Sequence, residues 1–180
     1  MARVSARAVF LDRDGTLNVR PAEHEYVRSV DDFHWLPGAV EGLARLQRAG
    51  YLLALVSNQQ GVARGVVSTS TLRDIEARIQ EDLSGVGCQI GAFRYCVHAA
   101  EDRCSCRKPE PGMLCELARE LDLDLSRSWM VGDAESDVEA GRAAGCRTAL
   151  LGGTSGRADI VAGSLEEASR LIAGRRSAAA

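Results

Sequence analysis

Short apolar runs alternate with longer stretches of helical periodicity along the chain, and few folds can accommodate that alternation. Ala8–Leu11, Leu52–Val56, Phe93–Val97, Trp129–Val131 and Thr148–Leu151 read as buried strands. Between them, Val40, Leu43 and Leu46 recur at helical spacing after Pro37-Gly38, and Gly50 ends that helix. Thr69–Leu83 is a polar-capped helix, Pro111 opens another that runs to about Leu121, and Glu135–Ala144 is a fourth. The capping-box pattern of Ser164 and Glu167 starts a last one. Strands alternating with helices imply crossover connections. The expected fold is therefore α/β: a doubly wound, Rossmann-like parallel sheet with helices on both faces. The chain has 180 residues and shows no internal repeat, linker or second core. One domain over residues 1–180 is expected, with a disordered tail at Arg175–Ala180.

In such sheets, ligands sit beyond the carboxyl ends of the strands. The first strand ends in Asp12, the second in Ser57-Asn58, and the strand at Trp129–Val131 in Gly132-Asp133. Three strands thus bring polar groups to one rim. The run Asp12-Arg13-Asp14-Gly15-Thr16-Leu17 carries the most specific chemistry. A phosphate monoester repels an anionic nucleophile, so a carboxylate can attack it only beside a neutralising cation. Asp12 can ligate Mg²⁺ with one oxygen and attack phosphorus with the other. Asp14 can protonate the leaving oxygen and later deprotonate water. Gly15 permits the sharp turn. A plain Asp-Gly turn is the competing interpretation of these residues.

Composition removes several alternatives. Hydrophobic residues make up 46% and charged residues 26%, which fits a globular protein. The net charge is -3 and aromatics are only 4%, which argues against a nucleic-acid partner. No run reaches the apolar length of a membrane helix. The opening MARVSARAVFLDRDG is too short in its apolar stretch for a secretory signal, so a cytoplasmic location is expected. In that reducing setting the six cysteines are expected as metal ligands or buried thiols.

Cys96-Val97-His98 is followed by Cys104-Ser105-Cys106. Three thiols and an imidazole make a closed tetrahedral shell for a structural Zn²⁺, the alternative being ordinary buried thiols. Cys88, Cys115 and Cys146 stand alone and read as small buried hydrophobes. Arg107-Lys108 follows the last ligand directly, so a clamped loop over 96–106 would hold two cations near the phosphate site.

Asp12–Leu17 resembles the first motif of the haloacid dehalogenase superfamily, and Ser57-Asn58, Lys108 and Gly132-Asp133-x-x-x-Asp137 follow in that family's order. Taken singly, Lys108 reads as a surface charge and Asp137 as a helix N-terminal acid; their order gives them a joint meaning. The resemblance implies a magnesium-dependent phosphatase without a large cap that works through an aspartyl-phosphate. It implies Mg²⁺ held by Asp12, Asp14 and Asp133, with Asp137 behind it. Ser57 and Asn58 would bond the phosphoryl oxygens and Lys108 would balance charge. The zinc pattern with Arg107-Lys108-Pro109 is similar to two groups within that family: the D-glycero-D-manno-heptose 1,7-bisphosphate 7-phosphatases and the histidinol-phosphate phosphatases. The run Ser57–Gly65 is closer to the heptose group, and the short zinc loop is closer to the histidinol group. Substrate contacts are expected from Asn58, Gln59, Gln60 and Arg107, and from Glu23 and Tyr26 in the Val19–Trp35 segment. This chain departs from the heptose pattern by an insertion near Arg20-Pro21 and by Ala134, where a lysine is common. A sugar phosphate is the expected small-molecule partner of a monomer. A polynucleotide phosphatase and a non-catalytic zinc module are the readings from other classes. The acidic balance opposes the first, and the joint presence of Asp12, Asp14, Lys108 and Asp133 opposes the second.

Overall fold

Ala8–Leu11 is apolar at every position and buried along its length, as a strand covered on both faces must be. It forms β1 of the computed structural model, which describes residues 5–175. The chain continues through α1 (Ala39–Arg48), β2 (Leu52–Asn58), α2 (Thr69–Ser84), β3 (Ala92–Cys96) and α3 (Gly112–Leu121). It ends through β4 (Trp129–Gly132), α4 (Glu135–Ala143), β5 (Arg147–Leu151), β6 (Ile160–Ala162) and α5 (Leu165–Gly174). All strand pairs are parallel, in the order β3-β2-β1-β4-β5-β6. This is the expected doubly wound sheet.

Alternation along β1 divides the core. Val9 and Leu11 pack under α1, α2 and α5, with Leu43, Ile75 and Ile172. Ala8 and Phe10 face the opposite way, onto Met113, Leu114 and Leu117 of α3. α4 covers that second face so closely that a Cβ on Gly141 would meet Met130 Cβ at 2.6 Å. The pleat therefore forces both faces to be filled.

Strand β6 was absent from the expectation. Its three residues alternate buried, exposed, buried, and so short an edge strand leaves little periodicity to read. Arg175 caps α5, donates to the Asp159 carbonyl at 3.1 Å and stacks over Trp129. The rest of the expected tail, 176–180, lies outside the described residues, as do residues 1–4 of the opening segment. Among the described residues no helix is long and apolar enough to cross a membrane.

The strand order has a direct consequence. The chain steps outward from β1 to β3, then returns to lay β4 on the other side of β1. Connections leaving β1 and β4 diverge, and a crevice opens at their carboxyl ends. Asp12 and Asp133 stand one residue past those two strands.

Candidate active site

The turn after β1 is tight: the Arg13 carbonyl accepts from the N–H groups of Thr16, Leu17 and Asn18. Gly15 occupies it at φ 89°, a left-handed conformation that favours glycine. A Cβ there would also lie 1.8 Å from Asp133 Oδ2. Glycine therefore lets the β1 turn and the β4 carboxylate approach each other. Gly132 does the same for Asp137, whose Oδ2 would meet a Cβ at 2.1 Å. Asp137 is fixed by accepting from the Ala134 N–H at 3.1 Å, as a cap at the start of α4.

One carboxylate oxygen each from Asp12, Asp133 and Asp137 lie within 4.8 Å of one another. Lys108 enters from the other side, 4% exposed. Its ammonium lies 2.8 Å from Asp12 Oδ1 and 2.6 Å from Asp137 Oδ1, and donates to the Val56 carbonyl at 2.9 Å. All three of its protons are thereby used. Burial alone would lower the Lys108 ammonium, but the charges of Asp12 and Asp137 raise it above its ordinary value. Burial pushes the Asp137 carboxyl up to about 6 against the pull of Lys108. Burial also raises Asp133, and Arg20, 2.6 Å from its Oδ1, pulls it back. Three carboxylates beside one ammonium leave an acidic pocket of hard oxygens, suited to a divalent cation.

The Asp14 carboxylate, expected among the holders of the ion, lies outside this cluster of carboxylate oxygens. Arg13 donates to both of its oxygens, at 3.1 and 2.9 Å, Asn18 to Oδ1 at 2.9 Å and Gln59 to Oδ2 at 3.0 Å. Burial alone would raise the Asp14 carboxyl, yet the Arg13 charge and these donors hold it below the usual range. It faces a cavity of about 310 Å³. That cavity is also lined by the other residues expected to act on or bind substrate: Asp12, Ser57, Asn58, Gln59, Gln60, Lys108, Arg107, Glu23 and Tyr26. Asp133 borders a neighbouring cavity of about 440 Å³ behind Gly15 and Thr16. Arg20–Glu23, Glu25 and Tyr26 of the segment after the β1 turn line the first cavity together with Arg107. An antiparallel bridge between Asn18 and Trp35 closes the base of that segment.

Two expected substrate ligands are engaged within the protein. The Asn58 amide pairs with the backbone of Lys108, and the Gln59 amide donates to Asp14 Oδ2 and Ser57 Oγ and accepts from Arg13. Arg13 and Arg20 were not foreseen. An arginine between two aspartates in an otherwise apolar run was the available signal for Arg13; for Arg20 there was none.

Cys96, His98, Cys104 and Cys106 also converge, their ligand atoms within 4.8 Å of one another. Successive separations are 3.6 Å (Cys96 Sγ to His98 Nδ1), 3.3 Å (His98 Nδ1 to Cys106 Sγ), 3.4 Å (Cys106 to Cys104) and 3.5 Å (Cys104 to Cys96). A tetrahedron built on Zn–S and Zn–N bonds of about 2.3 and 2.0 Å has edges of roughly 3.5–3.8 Å, so the four atoms sit where a zinc shell would place them.

Residues 105–173 match the "Hydrolase_like: HAD-hyrolase-like" family model. The chain is 38% identical to the D-glycero-beta-D-manno-heptose-1,7-bisphosphate 7-phosphatase of Pseudomonas aeruginosa, over 82% of each protein. It is 37% identical to the protein of the same name from Bordetella bronchiseptica, over 92% of this chain and 91% of that one. The crystal structure of D,D-heptose 1,7-bisphosphate phosphatase from B. bronchiseptica, complexed with magnesium and phosphate, superposes with a TM-score of 0.86 at 33% identity, covering 94% of this chain and 99% of that one. The Burkholderia thailandensis enzyme of that description gives 0.67 at 26% identity, covering 92% and 97%.

Proposed function

Because the chain belongs to the HAD-like hydrolases, in the family of the D-glycero-beta-D-manno-heptose-1,7-bisphosphate 7-phosphatases, we propose that it removes the 7-phosphate of that beta-heptose bisphosphate through an aspartyl-phosphate on Asp12. One observation carries the reading: Asp12, gripped by Lys108 and faced by Asp133 and Asp137, lies at the switch point of the sheet and opens onto the cavity beside Asp14. The histidinol-phosphate alternative is set aside, since these relatives share the heptose name.

The oxygen cluster fits Mg²⁺, with Asp12 and Asp133 as its holders. When bound, the ion offsets the negative charge of the phosphoryl group so that a carboxylate can approach it. Asp12 is the nucleophile. Lys108 balances the charge that Asp12 and Asp137 concentrate there. Ser57 accepts from Gln59 Nε2, which orients its hydroxyl to donate to a phosphoryl oxygen. Asp14 protonates the sugar oxygen as it leaves and then takes a proton from the attacking water. Asn58 and Gln59 serve by holding Lys108 and Asp14. Contacts to the substrate's sugar and distal phosphate fall to Gln60, Glu23, Tyr26 and Arg107. The Cys96, His98, Cys104 and Cys106 shell fits a structural Zn²⁺, whose role is to fix the backbone that carries Arg107 and Lys108. We place the protein in a reducing, cytoplasmic setting, where Cys96, Cys104 and Cys106 stay available as zinc ligands.

Phosphate release from the heptose bisphosphate and from histidinol phosphate, measured side by side, tests the proposal. A clear preference for the heptose supports it, and a clear preference for histidinol phosphate overturns it.

A further inference from the structure

Arg13 is 0% exposed although it stands between two aspartates at the rim of the sheet. Withdrawing a guanidinium from water is unfavourable unless its donors are met. Here the site is only partly compensated, because Nη1 is buried without a hydrogen-bond partner. The remaining donors converge on Asp14 and its neighbour Gln59. Nε donates to Asp14 Oδ1 at 3.1 Å and Nη2 to Asp14 Oδ2 at 2.9 Å, a two-pronged grip that fixes the plane of the carboxylate. Nη2 also donates to Gln59 Oε1 at 3.2 Å, and Gln59 Nε2 in turn holds Asp14 Oδ2 at 3.0 Å. Asn18 closes the other side at 2.9 Å from Oδ1. Asp14 itself stays 23% exposed in its side chain and lines the cavity, whereas Arg13 does not.

The two buried cations thus have separate charges to serve, Lys108 on Asp12 and Arg13 on Asp14. We propose that Arg13 is a positioning residue that aims Asp14 for proton transfer, with Gln59 and Asn18 as lateral supports. This rests on the phosphatase reading above. In the first step a bond forms between Asp12 and phosphorus, the bond from phosphorus to the sugar oxygen breaks, and a proton that Asp14, ionised in the free protein, takes up when the anionic phosphoryl group enters passes to that oxygen. In the second, water oxygen bonds phosphorus, the bond to Asp12 breaks, and the water's proton returns to Asp14. A carboxylate free to rotate would miss both transfers, because a displacement of about 1 Å is enough to slow such a step severely. Arg13 never touches substrate, so its whole effect passes through Asp14.

Leaving-group dependence separates this role from a purely structural one. p-Nitrophenolate departs without a proton, whereas a sugar alkoxide needs one. kcat/KM reports only the steps up to leaving-group departure. In Arg13→Lys, which keeps the charge and loses the fork, kcat/KM for the heptose bisphosphate should fall about 10- to 100-fold, while that for p-nitrophenyl phosphate changes less than about threefold; a positioned proton carrier is worth roughly 10²–10⁴-fold. Arg13→Met should lose more on the sugar substrate and still spare the aryl ester. With the aryl ester both variants should show a burst of nitrophenol, because the aspartyl-phosphate then waits for a poorly activated water. Equal losses on the two substrates, or no burst, overturn the proposal. A wild-type enzyme that hydrolyses an unactivated sugar monophosphate but not the heptose bisphosphate refutes the substrate assignment alone, and the monophosphate then replaces the bisphosphate in the comparison. If neither variant folds, the wild type decides: Arg13 Nε–H, observed by ¹⁵N NMR, should exchange with solvent far more slowly than exposed arginines, and equally fast exchange overturns the fork.

Discussion

Asn58 holds the backbone of Lys108 at both of its polar atoms, donating from Nδ2 to the carbonyl and accepting from the N–H at Oδ1, each at 3.0 Å. A strand-end amide thereby fixes a lysine 50 residues away in sequence. Asn58→Ala should remove two partly buried hydrogen bonds, lower the melting temperature by about 3–8 °C and reduce kcat more than it raises KM. A rise in KM alone would instead make Asn58 a simple substrate ligand.

Asp12→Asn should reduce phosphate release by more than about 10³-fold, as loss of a nucleophile does. The fold should persist, because Lys108 keeps Asp137 and the Val56 carbonyl as partners. Circular dichroism and thermal melting check the second point. Appreciable turnover by protein verified to be free of deamidation would remove Asp12 from its role.

Protein purified without added zinc should contain about one zinc per chain. Cys104→Ser should lower the melting temperature by roughly 10 °C or more, since structural zinc contributes folding free energy directly. Activity should fall as a consequence, because Cys106 is followed at once by Arg107 and Lys108. Metal analysis finding no zinc in a fully active sample would dismiss the cluster as a metal site.

Magnesium affinity should weaken as pH falls through the acid range, because burial raises the carboxyl of Asp133, a holder of the ion, and lifts that of neighbouring Asp137 to about 6. The sign follows from competition: a raised carboxyl holds its proton at higher pH, and a protonated oxygen is a poor ligand. Calorimetric titration with Mg²⁺ across the acid and neutral range should show proton release on binding. A pH-independent affinity would contradict this account.

Much of this architecture was legible in the sequence because its determinants are local. Apolar runs such as Ala8–Leu11 and the helical spacing of Val40, Leu43 and Leu46 report strands and helices directly, and their alternation dictates a parallel sheet. The residues at strand ends were legible for the same reason. What side chains do once the ends meet was not. The Asp14 carboxylate lies outside the Asp12, Asp133 and Asp137 cluster and is held instead by Arg13, Asn18 and Gln59. Asn58 is spent on Lys108. Arg20 meets Asp133 from a segment with no periodic signal, at 54% side-chain exposure. Each of these depends on partners distant in sequence or on a loop path, which neither propensity nor spacing encodes.

The order β3-β2-β1-β4-β5-β6 divides the acidic cluster between the two halves of the chain: Asp12 leaves the first strand, while Lys108, Asp133 and Asp137 all come after β3. A nascent chain that has laid down only β1 to β3 already holds Asp12 but neither the cation that restrains it nor the acids that face it. The cluster closes only when β4 docks against β1, a long-range pairing formed after the local ones. Phosphate turnover therefore serves as a readout of complete assembly. Two separately expressed fragments divided in the exposed Asp122 turn before β4 should each be inert and should gain activity only on reassociation.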